Sequence, residues 1–149
     1  MKATFVLITF VFLSVSGHAQ TTTVDSVKAT VNNLFTAMRN VDATLLFQCF
    51  AENAILQTVA TRDGQVVVST QRLSDFANNV NLLPKNAADE RITFEVVKVD
   101  GDLAIAWTPY EFFYNGKFSH YGVNSFQLVR VAGGWKIQYI IDTRKTKKE

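Results

Sequence analysis

Three dipeptides constrain this chain more than anything else in it: Asp100-Gly101, Asn115-Gly116 and Gly133-Gly134. Each is the kind of pair that closes a tight β-hairpin, because its residues tolerate the positive φ such turns demand. They divide the C-terminal half into four runs rich in β-branched and aromatic residues: Ile92–Val99, Leu103–Tyr114, Lys117–Ala132 and Trp135–Arg144. The runs predict a four-stranded antiparallel meander with long strands. The N-terminal half reads differently. Val27, Val31, Leu34, Phe35 and Met38 recur at helical spacing within an amphipathic helix from Val24 to Met38. Asp42 then caps a shorter helix carrying Leu45, Leu46, Cys49 and Phe50. A strand over Ala54 to Ala60, a turn over Arg62 to Gln65 and a returning strand over Val66 to Val68 follow. Ser69 or Thr70 is expected to cap a third helix with Leu73, Phe76 and Val80 on one side, and Leu83 to Glu90 to form a loop. Helices followed by an antiparallel meander give an α+β fold, with the N-terminal helices packed on one face of a strongly curved antiparallel sheet.

The first nineteen residues belong to a different physical class. Lys2 precedes an apolar run from Phe5 to Val15, and small residues approach Ala19. This is the pattern of a secretory signal, with cleavage expected after Ala19 or Gln20. An uncleaved anchor is the competing reading, but the run is about eleven residues and a membrane-spanning helix needs about twenty. No cysteine follows the expected cleavage site, so a lipid anchor is not expected either. The sequence therefore predicts an exported protein, periplasmic or secreted, with residues 20–149 as one domain ending in a basic tail.

Losing the signal also removes His18, leaving His120 as the one histidine and Cys49 as the one cysteine. One thiol makes no internal disulfide, so the core must stand on apolar burial; Cys49 reads as a small buried hydrophobe. A metal site of several His or Cys ligands is excluded by count, and no carboxylate cluster replaces it. There is no phosphate-cradling glycine loop, so no cofactor is expected. The formal net charge is +2, with Arg144, Lys145, Lys147 and Lys148 crowded at the end. The body of the domain lacks the basic stripe of a nucleic-acid binder.

Counting outward from the three turns assigns facing residues. On one face this places Ile92, Phe94, Val96, Ile105, Trp107, Phe126, Leu128, Tyr139 and Ile141, the side the helices should cover. On the other it places Thr93, Glu95, Ala104, Ala106, Thr108, Tyr110, Tyr121, Ser125, Gln127, Gln138 and Asp142. Glu111, His120, Asn124 and Thr143 are then polar groups stranded at one end of the apolar face, with Glu111 opposite His120. Buried polar groups cost a few kcal/mol unless partnered. The cluster is therefore either a mutually satisfied network or the lining of a pocket, floored by Trp107 and Phe126 with Phe113 and Phe118 at its mouth. A bulge, which Pro109 or Gly122 could mark, would move Glu111 to the outside.

The opening helices and the long strands ending in GGWKIQYIIDTRK resemble the nuclear transport factor 2-like superfamily of curved-sheet cones. WTPYEFFYNGKFSHYGVNSFQLVR resembles its bacterial lumazine-binding-like or uncharacterised exported group. The likeness spans Thr22 to Arg144. It implies a cone whose wide end opens into an apolar pocket, commonly in a homodimer formed through the outer sheet face. The superfamily holds isomerases, dehydratases, polyketide cyclases and pure binders, and fold alone does not choose among them. The steroid-isomerase trio does not map onto this chain, and the two-histidine pattern of scytalone dehydratase meets only one histidine. Three readings stay open: a binding module for a small, flat, mostly apolar or aromatic molecule; a lyase or isomerase with His120 as base oriented by Glu111; and a dimeric interaction module working through its outer face.

Overall fold

A computed structural model describes residues 16–146, with side chains from residue 22 onward; residues 1–15, most of the expected signal, lie outside it. Helix α1 (Ser16–Asn40) buries Val27, Val31, Leu34, Phe35 and Met38, the stripe its periodicity predicts. Helix α2 (Ala43–Cys49) starts where Asp42 accepts a 2.9 Å hydrogen bond from the Leu45 backbone N–H, satisfying one orphan donor of the first turn. Strands β1 (Phe50–Arg62) and β2 (Gln65–Gln71) form a hairpin, and α3 (Leu73–Asn81) follows. The expected cap for α3 is corrected: Ser69 and Thr70 stay in β2, and Arg72 precedes the helix without a side-chain cap. Strands β3 (Ala88–Ile92), β4 (Val96–Asp100), β5 (Leu103–Tyr114), β6 (Lys117–Val131) and β7 (Gly134–Thr143) complete the chain. No described helix is long and apolar enough to cross a membrane.

The sheet runs β2-β1-β7-β6-β5-β3, with β4 following β3 along the same edge of β5. All pairings are antiparallel except β1 with β7. That parallel contact brings the N-terminal hairpin onto the meander and curls the sheet around the helices. Two expectations are extended or corrected here. The loop expected up to Glu90 ends earlier, because Ala88 to Ile92 pair with Tyr114 to Tyr110 as β3. The single first strand of the meander is broken over residues 93–95 into β3 and β4.

The register departs from the turn count for two reasons. Asn115-Gly116 closes its hairpin as expected, both residues at positive φ. The other two turns fall one residue away, at Gly101-Asp102 and Ala132-Gly133, which slides pairing by two and preserves the faces. The decisive departures are two β-bulges, one with Ser119 as the extra residue of β6 and one with Gln138 as the extra residue of β7. A single inserted residue inverts every side chain beyond it. Ala104, Ala106, Thr108, Tyr110 and Asp142 therefore face inward and are buried, while Ile105 and Trp107 are exposed on the outer face. Phe126 and Leu128 sit at the centre of the core as expected, Phe126 meeting Phe35 edge-on at 6.3 Å. Ile137 and Ile140 take the inward places expected for Tyr139 and Ile141. Ala104 and Ala106, which the unbulged count places outward, belong to the buried core.

Candidate functional site

The inner face leaves a cavity of about 610 Å³ between α1, α3, the β1–β2 hairpin and the ends of β3, β5, β6 and β7. Its walls are apolar where the helices contribute, through Leu34, Phe35, Met38, Phe76, Val80 and Leu83. Phe112 and Ile140 continue that lining across the sheet. At one end the sheet supplies a polar group: Glu90 from β3, Tyr110 from β5, His120 and Asn124 from β6, Thr58 from β1, and Asp142 from β7 followed by Arg144.

The polar side chains are bonded in two sets. Asp142 is saturated: Thr58 Oγ1 donates to Oδ1 at 2.5 Å, and Tyr110 OH (3.2 Å) and Arg144 Nε (2.9 Å) reach Oδ2. The Tyr110 hydroxyl also lies 2.9 Å from the Thr143 carbonyl oxygen. Glu90 has one bond, accepted by Oε1 from Asn124 Nδ2 at 2.7 Å. Thr108, register partner of Asn124, is fully buried and its hydroxyl meets no partner among the described residues.

Burial dominates the electrostatics. It pushes the Glu90 carboxyl up to about 7; the Asn124 hydrogen bond and Arg144 pull against this, and the negative Asp142 adds to it. Glu90 keeps some exposed surface, but that surface borders the cavity and protein encloses the rest. Burial, with Asp142 and Glu90 nearby, also drives the Tyr110 phenol above the ordinary range, so it stays a hydrogen-bond donor. Burial and then Arg144 lower His120, Asp142 opposing them, so the imidazole is neutral near pH 7. The ring stacks on Phe112 at 4.9 Å and meets Tyr110 edge-on at 5.7 Å, with Nδ1 3.1 Å from Ser119 Oγ.

Of the residues expected from the sequence, His120 and Asn124 line the cavity and Phe126 lies buried in the core beneath the sheet. Glu111 is not opposite His120: the Ser119 bulge pairs His120 with Phe112 and Glu111 with Tyr121, so Glu111 faces outward. Trp107 is outward for the same reason and cannot floor the pocket. Phe113 and Phe118 contact each other at 6.0 Å near the hairpin tip, where Arg91 covers Phe113, and neither lines the cavity. Thr143 contributes through its backbone carbonyl, while its hydroxyl accepts from Val123 N–H. Glu90, Tyr110, Phe112, Asp142 and Arg144 went unrecognised in the sequence. Tyr110 and Asp142 were assigned outward by the unbulged register, Glu90 to a loop and Arg144 to a solvated tail. The alternation Ala88, Glu90, Ile92 was the one available signal for Glu90. Among the described residues no group of three or more His, Cys, Asp or Glu is placed to hold a metal ion.

Gly122 shapes this end of the cavity. A Cβ there would lie 1.8 Å from the Thr143 carbonyl oxygen and 3.1 Å from the Tyr110 ring, so only glycine lets β6 and the end of β7 approach so closely.

Comparison with known proteins agrees with this architecture. A nuclear transport factor 2-like protein of unknown function from Silicibacter pomeroyi matches with a TM-score of 0.63 at 17% identity, over 84% of this chain and 98% of its own. A counterpart of unknown function from Shewanella baltica gives 0.66 at 11% identity, over 89% and 99%. One from Novosphingobium aromaticivorans, described as having a cystatin-like fold, gives 0.66 at 14% identity, over 83% and 82%. At these identities the likeness establishes the fold. No curated protein matches the sequence. The model of the family described as "Putative lumazine-binding" matches residues 22–139; the chain belongs to that family and has the fold of the nuclear transport factor 2-like structures.

Proposed function

We propose that the protein binds a small, flat, largely apolar molecule in the cone cavity. The observation that carries this reading is the cavity itself: about 610 Å³ walled by helix-borne apolar side chains, with a few convergent polar groups at one end. Thermal denaturation of the purified chain against a panel of small aromatic and lipidic metabolites tests it, with native mass spectrometry to count bound molecules. A ligand that binds only the folded state raises the melting temperature. Ser69→Trp, at an exposed position on the cavity rim, should abolish that rise without unfolding the chain. A rise that persists in Ser69→Trp, or no rise with any compound, refutes the reading.

A second reading, proton-transfer chemistry of the lyase or isomerase kind, is favoured by one observation: Glu90 titrates near neutrality beside a bound Asn124. The acid–base residue of such an enzyme would be Glu90 or His120, with Glu111 outside the cavity. Turnover of any bound compound that vanishes in both Glu90→Gln and His120→Ala would establish it. We also propose export directed by residues 1–19, testable by the N-terminal sequence of the secreted product. Homodimerisation through the exposed Leu103, Ile105 and Trp107 is a parallel proposal, read by sedimentation.

A further inference from the structure

The cavity carries a carboxylate, Glu90, that forms no ion pair with any of the described residues. The guanidiniums of Arg144, Arg39 and Arg91 are engaged elsewhere. Arg144 Nε holds Asp142 at 2.9 Å, while Arg39 and Arg91 both grip Asp89, on the opposite face of β3, at 2.9 and 2.8 Å. Arg62 lines the rim and is exposed. Asp142 has three donors, whereas Glu90 has one, the neutral amide of Asn124. Its second oxygen, Oε2, hydrogen-bonds none of the described residues. The inner end of the cavity thus holds two carboxylates and one guanidinium, one positive charge short of balance. Around it stand the rings of Phe112, Tyr110 and His120.

Building on the cavity reading above, we infer that the ligand is an organic base: an aromatic or alicyclic body against the helix-side wall, and a protonated nitrogen seated on Oε2 of Glu90. A neutral N–H or O–H would complete the hydrogen bond and leave the charge unbalanced. A cation does both, and a charge-assisted bond in a poorly solvated site is the stronger one. An anion at the inner end would face Glu90 and Asp142, where the one guanidinium, Arg144, is held by Asp142; Arg62 stands at the rim. The rise of the Glu90 carboxyl towards neutrality fits an acceptor whose counter-ion comes from outside the chain.

Three probes with one body and different head groups test this: naphthylmethylamine, naphthylmethanol and naphthoic acid, titrated calorimetrically at about pH 8, where the amine is charged and Glu90 ionised. The amine should bind about tenfold tighter than the alcohol, and Glu90→Gln should remove that advantage while leaving alcohol affinity within about twofold. Glutamine keeps the shape and can still accept from Asn124. Should the variant not fold, the unaltered chain at about pH 5 serves instead. There the amine should weaken and the alcohol hold, with Asp142, Arg144, Arg62, Tyr110 and His120 the other charged or titratable groups facing the site. Equal binding of amine and alcohol, or an amine unaffected by Glu90→Gln, overturns the base and leaves the cavity reading standing. Tightest binding by the acid overturns it in favour of an anion. Failure of all three to bind overturns the cavity reading and this inference together.

Discussion

Replacing Glu90 by glutamine should make the protein more stable at neutral and alkaline pH, and the gain should disappear in acid. The carboxyl titrates at about 7 in the fold against an ordinary 4.5, with burial the largest cause. Below pH 4.5 it is protonated both folded and unfolded, and contributes nothing either way. Between the two values the unfolded chain releases its proton while the folded chain retains it, so stability falls as pH rises. Above about 7 the folded protein carries the whole cost. At about 1.36 kcal/mol per pH unit between the two values, that cost is on the order of 3 kcal/mol. For a domain of about 130 residues it corresponds to roughly 10 °C in melting temperature. Glutamine cannot ionise, so the variant should lack this slope. The quantity to measure is the difference between variant and parent in unfolding free energy, from urea melts at half-unit steps between pH 4 and 8. The difference removes the other titrations, including His120, whose lowered pKa acts the opposite way by withdrawing stability as pH falls. A difference that is flat with pH would refute the reasoning, showing Glu90 to be solvated in the cavity like a surface carboxylate.

Gly122→Ala should destabilise by about 3 kcal/mol or more, because its Cβ would overlap the Thr143 carbonyl oxygen; a chemical melt within about 1 kcal/mol of the parent would contradict that packing. Trp107→Ala should leave any ligand-induced thermal shift intact while weakening self-association, since the ring lies on the outer face; loss of the shift would return Trp107 to the pocket. Asp42→Ala should cost about 1 kcal/mol through the lost α2 cap, read by the same melts. Cys49 is buried, and burial pushes its thiol up to about 11 despite Lys136. It should therefore resist a thiol reagent at pH 8 until urea unfolds the chain, and prompt labelling of the native protein would refute this.

The helical half was legible because its signals are local. An apolar stripe at 3.6-residue spacing buries the same face whatever it packs against, and the Asp42 carboxylate reaches an amide three residues away. The hairpins were legible for the same reason, the Asn115-Gly116 turn above all. The α+β class follows from these local features and their order along the chain, and the resemblance of the long strands pointed to the cone. The site does not, because it depends on which way each strand faces at its far end. Nothing in the local sequence marks Ser119 or Gln138 as an extra residue, yet those two bulges put Tyr110 and Asp142 inside and Glu111 and Trp107 outside. Bulges form where a closing, twisting sheet must bend, and that demand arises only when β1 docks in parallel on β7 and the helices fill the concave side. The same closure turns Arg144 from a tail residue into Asp142's partner and leaves Glu90 without a cation of its own. The sequence by itself determined the helices, the N-terminal hairpin and the long strands of the meander in their order; tertiary packing alone decided which polar side chains share the cavity, because one inserted residue inverts a strand.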